Sequence, residues 1–299
     1  MEIVIFGAGS LGSLVGAVLA RDHGVTLVGR EDHVEAVREH GLVLEGELEA
    51  AVAPRATTDG TELVADLAVV TVKSADTPRA ADVLATGAFE AVLSLQNGMG
   101  NEETLADTLA CPVLAGTASY GAVLREPGVV ECTGVGEIVL GDRRGTASAI
   151  ADRVGAAFRA SGLETTATDE MDRQLWEKLA VNAGINAVTA LTATENGAVL
   201  EAPAEDVARD ATRETACVAR AEGVALSDHE ALTALETVAT ETAANTSSMR
   251  QDVRAERRTE IDAINGYVLE CGATHGIEVP SNRVLAALVR AWERGHDLR

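Results

Sequence analysis

Short apolar runs alternate with glycine-bounded polar stretches through the first half of the chain, and a helical period takes over in the second. Residues 2–6, EIVIF, read as a buried strand, apolar from Ile3 to Phe6. GAGSLGSLVGAVLARD behind it joins a glycine turn to an amphipathic helix. VTLVGR predicts a second short strand ending at Arg30, and EDHVEAVREHG a second helix closed by Gly41. LVLEG and ELEAAVAP read as a hairpin pair. LAVVTVKS and AVLSLQNGMG are continuous apolar strands ending in polar or glycine turns, as expected of a parallel sheet covered on both faces. VLAGTASYGAVL, VVECTG and EIVLGD supply further strands, expected to be antiparallel. From about Thr168 helices follow one another, broken at NGAVLEAP, EGVALSD and HGIEVPSN.

The first strand and turn carry a recognisable chemistry. Gly7-Ala8-Gly9-Ser10-Leu11-Gly12 fits G-x-G-x-x-G between a strand and a helix, the arrangement that lets a dinucleotide pyrophosphate approach the backbone at a helix N-terminus. The predicted fold class is therefore α/β, an N-terminal Rossmann-type doubly wound sheet (1–168) with an all-helical C-terminal domain (169–299), and the expected site is the cleft between them. At the end of the second strand an acid favours NAD and an arginine the 2′-phosphate of NADP. Gly29-Arg30 favours NADPH over NADH, although Glu31 and Asp32 follow at once and Arg30 read alone could be a plain surface residue.

Charge changes the picture next. With 47 acids against 24 bases the net charge is −23, a surface that a phosphate backbone would repel, so nucleic acid is not an expected partner. Apolar residues make up 46% of the chain, too many for disorder. No apolar run is long enough to span a membrane, and a soluble cytoplasmic protein is expected. Cys111, Cys132, Cys217 and Cys271 are scattered without paired spacing or nearby histidines, which fits neither a disulfide framework nor a metal site. Only Lys73 and Lys178 are lysine, and the other 22 basic residues are arginine. The acidity reads as a surface adapted to concentrated salt, where screening tolerates self-repulsion.

One of the two lysines begins an unusual helix. In EKLAVNAGINA, Lys178, Asn182 and Asn186 recur every fourth residue and form one stripe. Leu175, Leu179, Val181, Ile185 and Val188 fall on the same arc, and Ala180, Ala183, Gly184 and Ala187 lie opposite. Polar groups inside an apolar sector are costly unless they meet each other or a ligand. Plainer readings exist: Lys178 could snorkel to water, the asparagines could cross-link helices, and Asn97-Gly98 and Asn196-Gly197 could be turns. Glu260, in the charge-rich RAERRTEID, could face solvent.

GAGSLG, VTVKSADT, LQNGMGNEE, WEKLAVNAGINAVTALTATENG and NTSSMRQDVRAERRTEIDAINGYV, in that order, resemble the ketopantoate reductase (2-dehydropantoate 2-reductase) family over essentially the whole chain. The resemblance implies that Lys178 is the catalytic lysine, donating a proton to the ketone oxygen. It implies that Asn182, Asn186, Asn196, Asn245 and Ser248 bind substrate and that Glu260 faces cofactor and substrate. Lys73, Asn97 and Ala122 match cofactor-contacting positions. The implied activity is NADPH-dependent reduction of 2-dehydropantoate to (R)-pantoate in pantothenate and coenzyme A biosynthesis.

That chemistry is consistent with the residue types. An ammonium group can both give a proton and stabilise a forming alkoxide, and asparagines orient hydroxyl and carboxylate groups without adding charge. Two alternatives remain at this level: a reductase of another branched 2-oxo acid, or a non-catalytic NADP-binding sensor on the same fold. The apolar helices of the second half could pack within the chain or against a copy in a homodimer. The acidic composition predicts activity retained in ~2 M KCl, where the Debye length is below about 3 Å, and lost on dialysis into dilute buffer. Full activity without salt would remove the halophilic reading.

Overall fold

The computed structural model describes the whole chain, residues 1–299. It divides into two compact units, residues 1–96 with 101–171 and residues 97–100 with 172–299. The first unit contains β1 (Glu2–Phe6), α1 (Ser10–Leu19), β2 (Gly24–Val28), α2 (Glu31–His40), β3 (Leu42–Gly46), β4 (Ala50–Val52), β5 (Arg55–Thr57) and β6 (Val64–Val70). It continues with α3 (Thr77–Leu84), β7 (Ala88–Ser94), α4 (Asn101–Thr108), β8 (Val113–Ala118), β9 (Gly121–Glu126), β10 (Val129–Gly134), β11 (Ile138–Asp142), α5 (Ala149–Ala160) and β12 (Thr165–Thr168).

Eight strands form one sheet in the order β12-β11-β8-β7-β6-β1-β2-β5. The six from β8 to β5 run parallel, and β11 and β12 are reversed. Strand β1 shows why the apolar runs are continuous. Ile3 and Ile5 pack into the core on one face, while Val4 belongs to the core on the other. A smaller sheet, β4-β3-β10-β9, packs beside α1, and its β3–β4 pair is the expected hairpin. Buried His33 joins the two parts. Its Nδ1 accepts the Gly128 N–H at 3.1 Å, so the neutral ring carries its hydrogen on Nε2, 3.0 Å from Ser13 Oγ. Burial lowers its pKa, in keeping with that neutral state.

Two expectations need correction. Strand β2 ends at Val28, not Arg30: the Gly29 N–H bonds Thr57 O, and the Arg30 carbonyl already accepts from Val34, which starts α2. Nor are the strands after residue 112 all antiparallel. Strand β8 joins the large sheet parallel to β7 and antiparallel only to β11, and β10 lies parallel to β3. Gly41 does close α2, at φ +81°.

The second unit is helical: α6 (Met171–Thr192, entering it at Asp172), α7 (Ala204–Ala221), α8 (Asp228–Glu241), α9 (Ser248–Arg254), α10 (Tyr267–His275) and α11 (Pro280–Gly295). Every residue of α6 from Leu179 to Ala190 is buried except Asn182, which is half-buried. The small face is the reason. A Cβ on Gly184 would meet Ala208 O at 3.0 Å, so α7 lies backbone-close, and Thr212 Oγ1 donates to Ala180 O at 3.2 Å. No helix is long and apolar enough to cross a membrane.

Glu102, on the first turn of α4, is only 2% exposed, and its Oε1 has no hydrogen-bond partner. Burial raises its pKa from the ordinary 4.5 to about 7, outweighing the lowering by its own N–H, Ser94 and Arg143, while Glu103 adds to the rise. The protonated form fits this site. Its contribution to stability is complete below pH 4.5 and lost as pH rises through about 7. Glu102→Gln is therefore expected to stabilise the protein by about 2 kcal/mol more at pH 8 than at pH 5. Denaturant titrations at the two pH values check this; an equal effect at both would show that the carboxyl is ionised throughout.

Candidate active site

In the large sheet the chain runs from β1 outward to β2 on one side and later resumes at β6 on the other. Ligands of open α/β sheets bind beyond the carboxyl ends of the strands at such a reversal. Here those ends lead into Gly7 after β1 and Thr71–Lys73 after β6.

The three glycines of the turn play different parts. Gly7 sits at φ +114°, its N–H donates to Val28 O at 3.0 Å, and a Cβ there would lie 2.7 Å from Val72 N. A Cβ on Gly12 would meet Thr71 Oγ1 at 2.6 Å, and that hydroxyl donates to Gly7 O at 2.8 Å. Protein packing thus demands Gly7 and Gly12. At Gly9 a Cβ would find nothing nearer than Gly7 O at 4.0 Å. Its openness leaves the approach that a pyrophosphate needs at the N-terminus of α1. Ala8 is buried and Leu11 half-buried against the core, while Ser10 Oγ accepts the Leu124 N–H at 3.1 Å and ties β9 to the turn. Ala122 lies two residues earlier on β9, on the same face, and packs against the core of this unit.

Arg30 is exposed at the N-cap of α2, with Glu31 and Asp32 in the first turn. Half-buried Lys73 caps the short 3₁₀ turn Ser74–Asp76. Below it Gln96, unremarked in the sequence, braces the strand ends: its Nε2 donates to Val72 O at 3.0 Å and to Thr77 Oγ1 at 2.7 Å. Thr77 Oγ1 in turn donates to Asn101 Oδ1 at 2.8 Å. Asn97–Gly100 leave this unit for the helical one, where the Met99 N–H donates to Ala263 O at 3.0 Å. Gly98 has φ +82°, and a Cβ there would lie 2.5 Å from that of Ala263.

In the helical unit the row on α6 is graded: Lys178 and Asn182 are half-buried and Asn186 is buried. The side opposite the row is a second packing interface, so from Leu179 to Ala190 the helix is core and only Asn182 and Asn186 of the row lie in it. Thr189, three residues past Asn186, contacts Ser247 Oγ at 2.7 Å, and this fixes the start of α9 beside α6. Half-buried Ser248 follows immediately. Asn196 is buried: its N–H donates to Asn245 O at 3.0 Å and its Nδ2 to Thr242 Oγ1 at 3.0 Å, leaving Oδ1 without a partner. Asn245 contributes its carbonyl to this turn and has an exposed side chain. Glu260 is 7% exposed and lies two residues before a π-helical turn, Asp262–Gly266, a feature that the sequence period did not reveal.

A sheet of this order, with a glycine cradle at its switch point and a helical unit bearing a polar row on its central helix, defines a dinucleotide-binding α/β oxidoreductase. The family models for ketopantoate reductase PanE/ApbA match residues 3–145 and, for its C-terminal part, 170–293, and the chain belongs to that family. It is 46% identical to a 2-dehydropantoate 2-reductase of Halobacterium salinarum, across 98% of this chain and 99% of that one. Among solved structures it resembles a PanE/ApbA family ketopantoate reductase from Ralstonia eutropha (TM-score 0.92, 36% identity, 99% and 100% of the two chains). A ternary structure of D-mandelate dehydrogenase with NADH and anilino(oxo)acetate is also similar (TM-score 0.93, 26% identity, 100% of both chains).

The glycine geometry yields a paired prediction. Gly7→Ala should lower the thermal midpoint of the ligand-free protein, whereas Gly9→Ala should leave it unchanged and raise the Kd for a reduced nicotinamide dinucleotide by about tenfold or more, read by cofactor fluorescence. Wild-type affinity in Gly9→Ala would show that the pyrophosphate does not lie over this turn.

Proposed function

We propose that the protein reduces 2-dehydropantoate to (R)-pantoate with NADPH, using Lys178 as the proton donor. The observation that carries this reading is that α6, buried from Leu179 to Ala190 except at half-buried Asn182, keeps Asn182 and Asn186 in that stretch and half-buried Lys178 at its head, all in one row. A helix interior retains such groups at a cost unless a ligand completes their hydrogen bonds.

The reaction adds a hydride to C2 of a 2-oxo acid and a proton to its oxygen, giving a 2-hydroxy acid. When bound, the nicotinamide supplies the hydride. The cradle of Gly7, Ala8, Gly9, Ser10, Leu11 and Gly12 fits its pyrophosphate, because the open side of Gly9 admits it. Arg30, exposed at the N-cap of α2, would hold a 2′-phosphate, and Lys73, Asn97 and Ala122 would contact the remainder. The Lys178 ammonium stabilises charge developing on the ketone oxygen and gives up its proton there. Asn182, Asn186, Asn196, Asn245 and Ser248 hold the substrate. The unpartnered Oδ1 of Asn196 is an acceptor suited to the substrate hydroxyl. Glu260 faces cofactor and substrate and balances the lysine charge.

A second reading, reduction of another branched 2-oxo acid, is favoured by the likeness to D-mandelate dehydrogenase solved with an oxoacetate. NADPH oxidation in ~2 M KCl, a salt level chosen for screening, separates the two when 2-dehydropantoate is compared with other 2-oxo acids. Lys178→Ala is expected to lower kcat by at least ~10²-fold while leaving the Kd for NADPH within twofold. NADH run in parallel should be the poorer cofactor, and Arg30→Ala should narrow the difference. Tight NADPH binding without turnover of any oxo acid would point to a sensor instead.

A further inference from the structure

Glu293, on α11, is a carboxylate with no exposure to solvent, 33 positions along the chain from Glu260. Its Oε1 accepts two hydrogen bonds from one residue, the N–H of Thr259 at 2.8 Å and the hydroxyl of Thr259 at 2.6 Å. Its Oε2 accepts from Arg299 Nε at 2.6 Å. The Thr259 hydroxyl also accepts the Ile261 N–H at 3.3 Å, so both neighbours of Glu260 lead back to this one carboxylate.

The turn beyond is gripped from the same helix. Asp262 Oδ1 accepts from Arg290 Nε at 2.9 Å, and its Oδ2 pairs with Arg299 and, at 3.6 Å, with Arg258. Arg290 and Glu293 stand three residues apart on α11, on one face. The Glu260 carbonyl accepts the N–H groups of Ala263 and Ile264, both at 3.1 Å, and the Ile261 carbonyl accepts that of Gly266 at 2.8 Å, five residues on. A π turn is a rare conformation, and here ionic contacts hold it at its first residue, Asp262, while Glu293 holds the segment that leads into it. Buried ion pairs are poor devices for stability alone, because apolar residues of similar volume often serve as well or better. They do fix geometry.

We propose that Glu293, secured by Arg299, is a positioning residue that fixes the Glu260 carboxylate for the reaction. The inference rests on the role given to Glu260 above.

A double-mutant cycle tests it. Steady-state kinetics would be measured for Glu260→Gln, Glu293→Gln and the double variant, each assayed well below its own melting midpoint. If Glu293 acts through Glu260, Glu293→Gln lowers kcat about tenfold or more, as small misplacements of a reacting group do. The double variant then matches Glu260→Gln within about twofold. Losses that multiply in the double variant would mean an independent structural role and overturn the proposal, as would wild-type kcat in Glu293→Gln. Arg299→Gln, which leaves the Thr259 bonds in place, covers the case in which Glu293→Gln fails to fold. It should give a smaller loss with the same non-additivity, and multiplying losses there would count equally against the proposal. An active Glu260→Gln would overturn the Glu260 role and the positioning role together. An inactive Glu260→Gln beside a fully active Glu293→Gln would overturn only the latter.

Discussion

The helical unit is organised around the burial of α6. Its small face lets α7 approach to backbone distance at Gly184, and its carbonyls are recruited from two sides, Ala180 O by Thr212 and Ala183 O by Asn265. Asn265 is itself anchored by Asn282, which bonds Ala211 O and Glu214. Polar bonds onto the backbone of a helix already saturated with its own ladder hold its rotation and depth as apolar packing alone would not. That restraint gives the row at Lys178, Asn182 and Asn186 a fixed bearing, which the proton transfer proposed above would need.

The nucleotide unit solves a different problem, how to leave backbone exposed to a ligand in a closely packed interior. Gly7 and Gly12 are required by what lies inside, Val72 and Thr71, whereas Gly9 leaves its side open. The two demands meet in six residues because β1 lies at the centre of the parallel strands, where the connections diverge. Gln96 and Thr77 then link the ends of β6 and β7 to the start of α4. The loops that begin there are therefore held at their roots.

Local pattern made much of this legible. EIVIF followed by GAGSLG names a strand, a turn and a helix N-terminus within a dozen residues, and the i, i+4 row needs only one helix to be recognised. What stayed hidden depends on distant pairing. The direction of β8 is set by β7 and β11, and nothing in VLAGTA encodes it. The passage of Asn97–Gly100 into the helical unit depends on Ala263, far along the chain. Glu260 sits in a run of charges that reads as a solvated face, yet it is buried, because Glu293 and Arg299 meet that run only in the folded chain. The candidate residues could thus be named from the sequence, and their bearings could not.

The distribution of cations supports the chemical reading of Lys178. Ion pairs on the surface of this acidic chain are made by arginine, as at Arg55–Glu2, Arg153–Glu90, Arg209–Glu236 and Arg220–Asp228. Pairs of this kind contribute little each, so they would tolerate lysine equally well, and yet lysine is almost absent. Whatever drove lysine from the surface, at position 178 it did not install arginine. A guanidinium there could have offered charge and hydrogen bonds, but it remains protonated throughout the accessible pH range and cannot hand over its proton. An ammonium can. Lysine at this half-buried position meets the requirement of the proton donor proposed above, which arginine would not.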